Sequence, residues 1–204
     1  MKADYLKTGL NDIDKALGGG IRRGSVVLVG SNTIRYSCTL SLSYISEGLG
    51  NGEISLYVNL RSVPMKMAIS STRGMDRFRS IHESNEPVFM DISSSKEIPL
   101  IGDLVETTGI SRLVLSHPES LLYRDPENES FTALEDLFGI CRNLNTGVIM
   151  ETLLDEYTPY LLLSDASIEI NNPSGGMIDV EVQGYPHPGG SERISLEEGF
   201  FWGM

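Results

Sequence analysis

Cysteine, histidine and tryptophan are scarce: the 204 residues hold two, three and one. Cys38 and Cys141 stand alone, with no spacing that would build a disulfide framework or a zinc module, so they are expected to be packed thiols in a reducing compartment. His82, His117 and His187 are far apart and show no metal-ligand pattern, and no metal is expected. There is no G-x-S-x-G nucleophile elbow. No apolar run approaches the roughly eighteen residues of a spanning helix. The opening Met1-Lys2-Ala3-Asp4-Tyr5 lacks the apolar core of a secretory leader. A cytoplasmic protein without membrane attachment is the expectation. Positive charge is scarce in one half. Residues 1–102 hold 12 Lys and Arg against 10 Asp and Glu, whereas residues 103–204 hold 4 against 18, which gives the net −12. Nucleic-acid binding needs cationic surface to neutralise phosphates, so direct contact with DNA or RNA is not expected. The acidic half serves solubility, or it faces a basic partner or a neighbouring subunit.

What is present is ordinary globular material, 40% hydrophobic and 22% charged with a mean hydropathy of −0.08. Leu10, Ile13 and Leu17 recur at helical spacing, with Asn11 or Asp12 as cap. Gly18-Gly19-Gly20 ends that helix. Residues 25–29 form a continuous apolar run, the mark of a strand buried on both faces. A helix over 37–49, a strand over 54–60 and a weak helix over 65–81 follow. Strands are then predicted over 87–92 and 112–115, with a helix over 99–108 between them. A polar loop at 117–130 leads to an amphipathic helix over 131–144, with Leu134, Leu137, Phe138 and Cys141 or Leu144 on one face. A strand over 147–151 is followed by short alternating strands over 166–170, 177–182 and 193–196, with turns at 173–176 and 186–190. Alternating strands and helices to about residue 151 predict a mainly parallel α/β sheet, which the tail extends in antiparallel fashion. With no internal repeat and no linker, residues 1–204 are expected to form one domain.

The stretch VVLVGSNTIRYSC, Val26 to Cys38, has the frame of a phosphate-binding loop: a β-branched strand, a glycine at its end, then a helix start. Around it stand Thr8-Gly9-Leu10, Ile13-Asp14, Gly18-Gly19-Gly20-Ile21 and Gly24-Ser25, with Asn51-Gly52-Glu53 before the next strand. In order and spacing these resemble the KaiC and archaeal RadA branch of the RecA-like ATPases. The likeness continues more weakly through Arg112–Leu115 as the Walker B strand, then 166–170, and Gln183-Gly184 with His187 and Ile194. It implies a RecA-like P-loop NTPase fold along nearly the whole chain. It also points to an archaeal-type origin, and to a mesophilic one, since the Lys and Glu enrichment of hyperthermophiles is missing.

The resemblance places the G-x-x-x-x-G-K-S/T motif on Gly30, Ser31, Asn32, Thr33, Ile34, Arg35, Tyr36 and Ser37. Only its first glycine and its hydroxyl are kept. Arg35 stands where the second glycine lets backbone approach phosphate, and Tyr36 where a lysine neutralises it. Ser116 holds the position of the magnesium aspartate. Arg61-Ser62 holds that of the catalytic glutamate. Three groups lost at three places imply a degenerate, non-hydrolysing member with no catalytic residue, and no cofactor is expected, ATP included.

Secondary signals remain. Arg22, Arg23 and Arg35 could rim a retained anion site; alternatively Arg35 and Tyr36 fill the emptied pocket, and Ser37 becomes a helix N-terminal hydroxyl. Side chains of 32–36 are expected to close the nucleotide pocket. His117 with Asp125 is weighed as a base and acid of an unknown site against a solvated loop histidine, the preferred reading. Met65, Met67 and Phe78 suit core or interface. The function expected is a pseudo-ATPase acting through protein partners in regulation or signal transduction. Assembly would be homo-oligomeric, or hetero-oligomeric with an active RecA-like ATPase. A nucleotide sensor without hydrolysis is the alternative, and a DNA-recombination accessory role is third.

Overall fold

The computed structural model describes residues 4–60, 89–122, 127–156, 158–174, 177–184 and 187–197. The helix expected over 65–81, with Met65, Met67 and Phe78, lies outside these residues. So do Arg61-Ser62, His82 and Asp125.

A two-stranded ribbon, β1 (Tyr5–Leu6) with β2 (Ile21–Arg22), brackets the short helix α1 (Asn11–Ala16). Asn11 is the first helical residue, and the cap position is Leu10, without a side-chain bond. Asp14 makes the closing contact instead, accepting the Thr8 N–H at 2.7 Å. Gly18, Gly19 and Gly20 all have positive φ. At Gly20 an added Cβ would stand 2.5 Å from the Leu6 carbonyl oxygen, so no larger residue fits that turn.

The main sheet follows. β3 (Val26–Ser31) leads into α2 (Ile34–Gly50), and β4 (Ser55–Asn59) comes next. β5 (Phe89–Asp91) precedes a 3-10 turn at Ser95–Glu97 and α3 (Ile98–Thr108). β6 (Arg112–Ser116), the four-residue α4 (Glu119–Leu122) and α5 (Glu127–Asn143) lead to β7 (Gly147–Leu153). After two 3-10 turns the chain ends its described part in β8 (Ala166–Ser174), β9 (Met177–Gly184) and β10 (His187–Glu197).

The strand order is β10-β9-β8-β3-β7-β6-β4-β5. All pairs from β8 to β5 are parallel, and β8-β9 and β9-β10 are antiparallel. The expected α/β architecture, a mainly parallel sheet with an antiparallel C-terminal extension, is the one observed. Alternation sends Val27, Val29, Tyr57, Val114 and Ile149 toward α1 and α2. Val26, Leu28, Leu113, Leu115 and Val148 go toward α3 and α5. Of the apolar face expected on α5, Leu134, Leu137, Phe138 and Cys141 are buried, and Leu144, just past the helix end, is exposed.

At the amino end of the sheet one charge is buried. Arg112, 2% exposed, pairs with Glu53 at 2.5 Å, donates to the Tyr44 carbonyl at 2.9 Å and to that of Lys7, and lies over the Tyr44 ring. Glu53 also pairs with Arg23 at 2.7 Å. A buried guanidinium is tolerated where its donors are satisfied.

Candidate functional site

In open α/β sheets, ligands bind beyond the carboxyl ends of the strands. At that end β3 extends through Gly30 to Ser31, and α2 starts at Ile34. The turn between them is only Asn32-Thr33. Backbone amides of this stretch bond within the protein. Asn32 N–H donates to the Ile170 carbonyl at 3.4 Å, Thr33 N–H to Ser31 Oγ at 3.2 Å, and Tyr36 N–H to the Thr33 carbonyl at 3.0 Å. Ser31 Oγ donates back to the Thr33 carbonyl at 2.9 Å.

Tyr36 turns beneath the helix into the core on the α2 side of the sheet, 3% exposed, where its hydroxyl accepts from Asn172 Nδ2 at 2.7 Å. Ser37 is buried as the fourth residue of α2 and donates to the Ile34 carbonyl at 3.0 Å, so it is no N-cap; Thr33 holds that position. Asn32, Thr33, Ile34 and Arg35 are exposed. Of Arg35 and Tyr36, both expected to turn inward, only the tyrosine enters the core. A tyrosine ring leaves water for the core at far lower cost than a charged guanidinium does. Nor is the three-arginine rim assembled. Arg22 and Arg23 precede β3 and Arg35 follows it, so six residues of strand, roughly 20 Å, separate them.

Register brings one row of side chains together across the parallel strands: Val29, Glu151, Ser116, Asn59 and Asp91. Paired residues share a face, and this row faces α2. Glu151 is completely buried. It accepts from Ser41 Oγ, one helical turn beyond Ser37, at 3.0 Å, and from the Tyr57 hydroxyl. Ser116, in the metal-aspartate position, is buried. Burial pushes the Tyr57 phenol well above its usual range, with Cys38 and Glu151 adding to the shift. Asn59 Nδ2 donates to Asp91 at 2.5 Å. Glu151 carries no role in the motif reading. Its only sequence signal is a carboxylate ending the apolar run Gly147–Met150.

On the opposite face a second polar group forms. Thr152 Oγ1 donates to Glu119 Oε2 at 3.0 Å, and Glu119 Oε1 lies 2.6 Å from His117 Nδ1. His117 has φ 59°, and its N–H donates to the Glu151 carbonyl at 2.7 Å. The solvated loop histidine expected from the sequence is instead buried, 2% exposed, because α4 begins two residues later and supplies Glu119 beside it. Among the described residues no group of three or more His, Cys, Asp or Glu is arranged to hold a metal ion. Both cysteines are free thiols, and burial pushes Cys141 up to about 12. Among the described residues no helix is long and apolar enough to cross a membrane.

No protein-family model and no curated protein matches the sequence. Solved structures do match, 602 chains in number, so the fold is widely used and by itself selects no activity. One is a KaiC-like protein from the hyperthermophilic archaeon Pyrococcus horikoshii OT3. The TM-score is 0.77, the identity 17%, and the alignment covers 97% of this chain and 96% of that one. The likeness establishes a KaiC-like, RecA-type fold.

Proposed function

We propose that this chain is a RecA-fold protein that does not turn over nucleotide and acts by binding other proteins, in a regulatory or signalling role. The observation that carries this reading is the internal use of the groups a phosphate loop offers its ligand. The Asn32, Thr33 and Tyr36 amides, the Ser37 hydroxyl and the side chain at the lysine position all bond within the protein. The residues present do not fit a magnesium–triphosphate group. Tyr36 supplies no cation, Ser116 no carboxylate, and Glu151 is closed off beneath two hydroxyl donors. An active RecA-like ATPase, or further copies of this chain, are the partners proposed, in keeping with the fold.

Purified protein is expected to release no phosphate from ATP above buffer. Magnesium-dependent turnover that disappears in Ser37→Ala would overturn the proposal. Calorimetry with millimolar ATP, ADP and GTP separates it from the sensor alternative: heat of binding without turnover would favour the sensor.

A further inference from the structure

α3 and α5 pack side by side, and between them runs a groove of about 540 Å³. Small residues shape it. A Cβ on Gly102 would stand 2.9 Å from Ile140 Cδ1, so the glycine lets Ile140 lie close against α3, and Ala133 faces the gap from α5. Ile98, Leu137 and Ile140 supply an apolar floor. The walls are acidic: Asp103 stands on one side, Glu129 and Asp136 on the other, all exposed, and among the described residues no Lys or Arg lines the groove. Arg142, the basic residue of α5, is directed away, donating to the Leu163 carbonyl at 3.2 Å and to Asp165 at 3.3 Å. From Glu129 to Ile140 the groove follows roughly 16 Å of helix, about three turns.

We infer that this groove is a docking site for a cationic amphipathic helix of a partner protein. Two packed helices with a trough between them accept a third along their ridges. An apolar floor takes the helix's apolar stripe. Carboxylates on both walls take the Lys and Arg that flank such a stripe, and they raise the rate of encounter with a basic partner. The inference rests on the protein-binding reading above and names the surface and the chemistry of its partner.

The probe is a synthetic leucine–lysine peptide of about 18 residues, long enough to form an amphipathic helix, carrying a fluorophore and a photo-crosslinker. Controls are a scrambled peptide of the same composition and a leucine–glutamate peptide. The full chain is expected to bind the first alone, with affinity falling as salt rises, and to crosslink within α3 and α5. Asp103→Asn/Glu129→Gln/Asp136→Asn leaves the floor intact and is expected to weaken binding roughly tenfold, as loss of charge complementarity at an interface does. Ala133→Arg should abolish it, and Asp179→Asn, an exposed acid on the hairpin, should leave it unchanged. Equal binding of the scrambled peptide, or indifference to the groove variants, would mean attraction to net charge alone and would overturn the inference. Self-association abolished by Ala133→Arg would assign the groove to a second copy and overturn it too. ATP turnover overturns the reading above and leaves this titration to decide the groove.

Discussion

Single residues hold this structure at points where there is no slack. Gly48 is one: a Cβ there would meet Arg112 Cδ at 2.4 Å, Arg112 Nε at 2.5 Å and Ser55 Oγ at 2.6 Å. Arg112 cannot retreat, because Glu53 and the Lys7 and Tyr44 carbonyls hold it. Gly48→Ala, often stabilising inside a helix, is therefore expected to destabilise by about 1–3 kcal/mol, the usual cost of overpacking, as urea unfolding will show. Asp14 is a different case. Burial raises its pKa above the ordinary 3.8, against the lowering effect of the Thr8 N–H bond. The native state thus keeps this proton to higher pH than the unfolded chain does. Its contribution is fully present below 3.8 and is lost as pH rises through the raised value. Asp14→Asn keeps an oxygen for Thr8 and has no proton to lose. Its unfolding free energy, followed by urea titration across the acid range, should lack that decline and equal or exceed that of the parent at neutral pH.

At the scale of elements, the strand-to-helix turn at 31–34 joins fold to function. Tyr36→Lys would place an ammonium where a ring lies 3% exposed, losing both apolar burial and the Asn172 bond. A loss of stability on the order of 3–5 kcal/mol is expected, visible as a lower melting temperature. Arg35→Gly with Tyr36→Lys completes the motif letters, yet it should yield no ATP hydrolysis in a phosphate-release assay, since Ser116 still brings no carboxylate. The elements themselves were largely legible. The apolar run at β3 and the periodicity of α5 each declare one element, and the alternation after residue 166 declares three strands, because burial pattern follows geometry. Boundaries were not: α2 starts three residues before its predicted start, since exposed Ile34 and Arg35 carry no periodic signal. The four-residue α4 is too short to show any period. The polar groups of the site were legible only in part. Glu151 meets Ser41 and Tyr57 across 110 and 94 positions of chain, a pairing that sheet register creates. His117 and Glu119 are two apart, but only burial joins them.

The whole molecule is strongly acidic, and its charge is unevenly divided between the two halves of the sequence. Contacts with a cationic partner should weaken with ionic strength, whereas the core, built of two apolar clusters on either side of one sheet, should not. That sheet also has a history in time. β3 is made early, yet its neighbours are β7 and β8, whose residues 147–153 and 166–170 emerge from the ribosome more than a hundred residues later. Until then its backbone has no strand on either side, and the apolar faces of α1 and α2 have little to cover. Nascent chains stalled near residue 145 should be cut readily by protease and bound by chaperones, and those stalled with residues 1–197 outside the tunnel should resist. A fold whose central strand waits for its neighbours closes late and all at once, so its synthesis has a long vulnerable interval that a protein of local contacts would avoid.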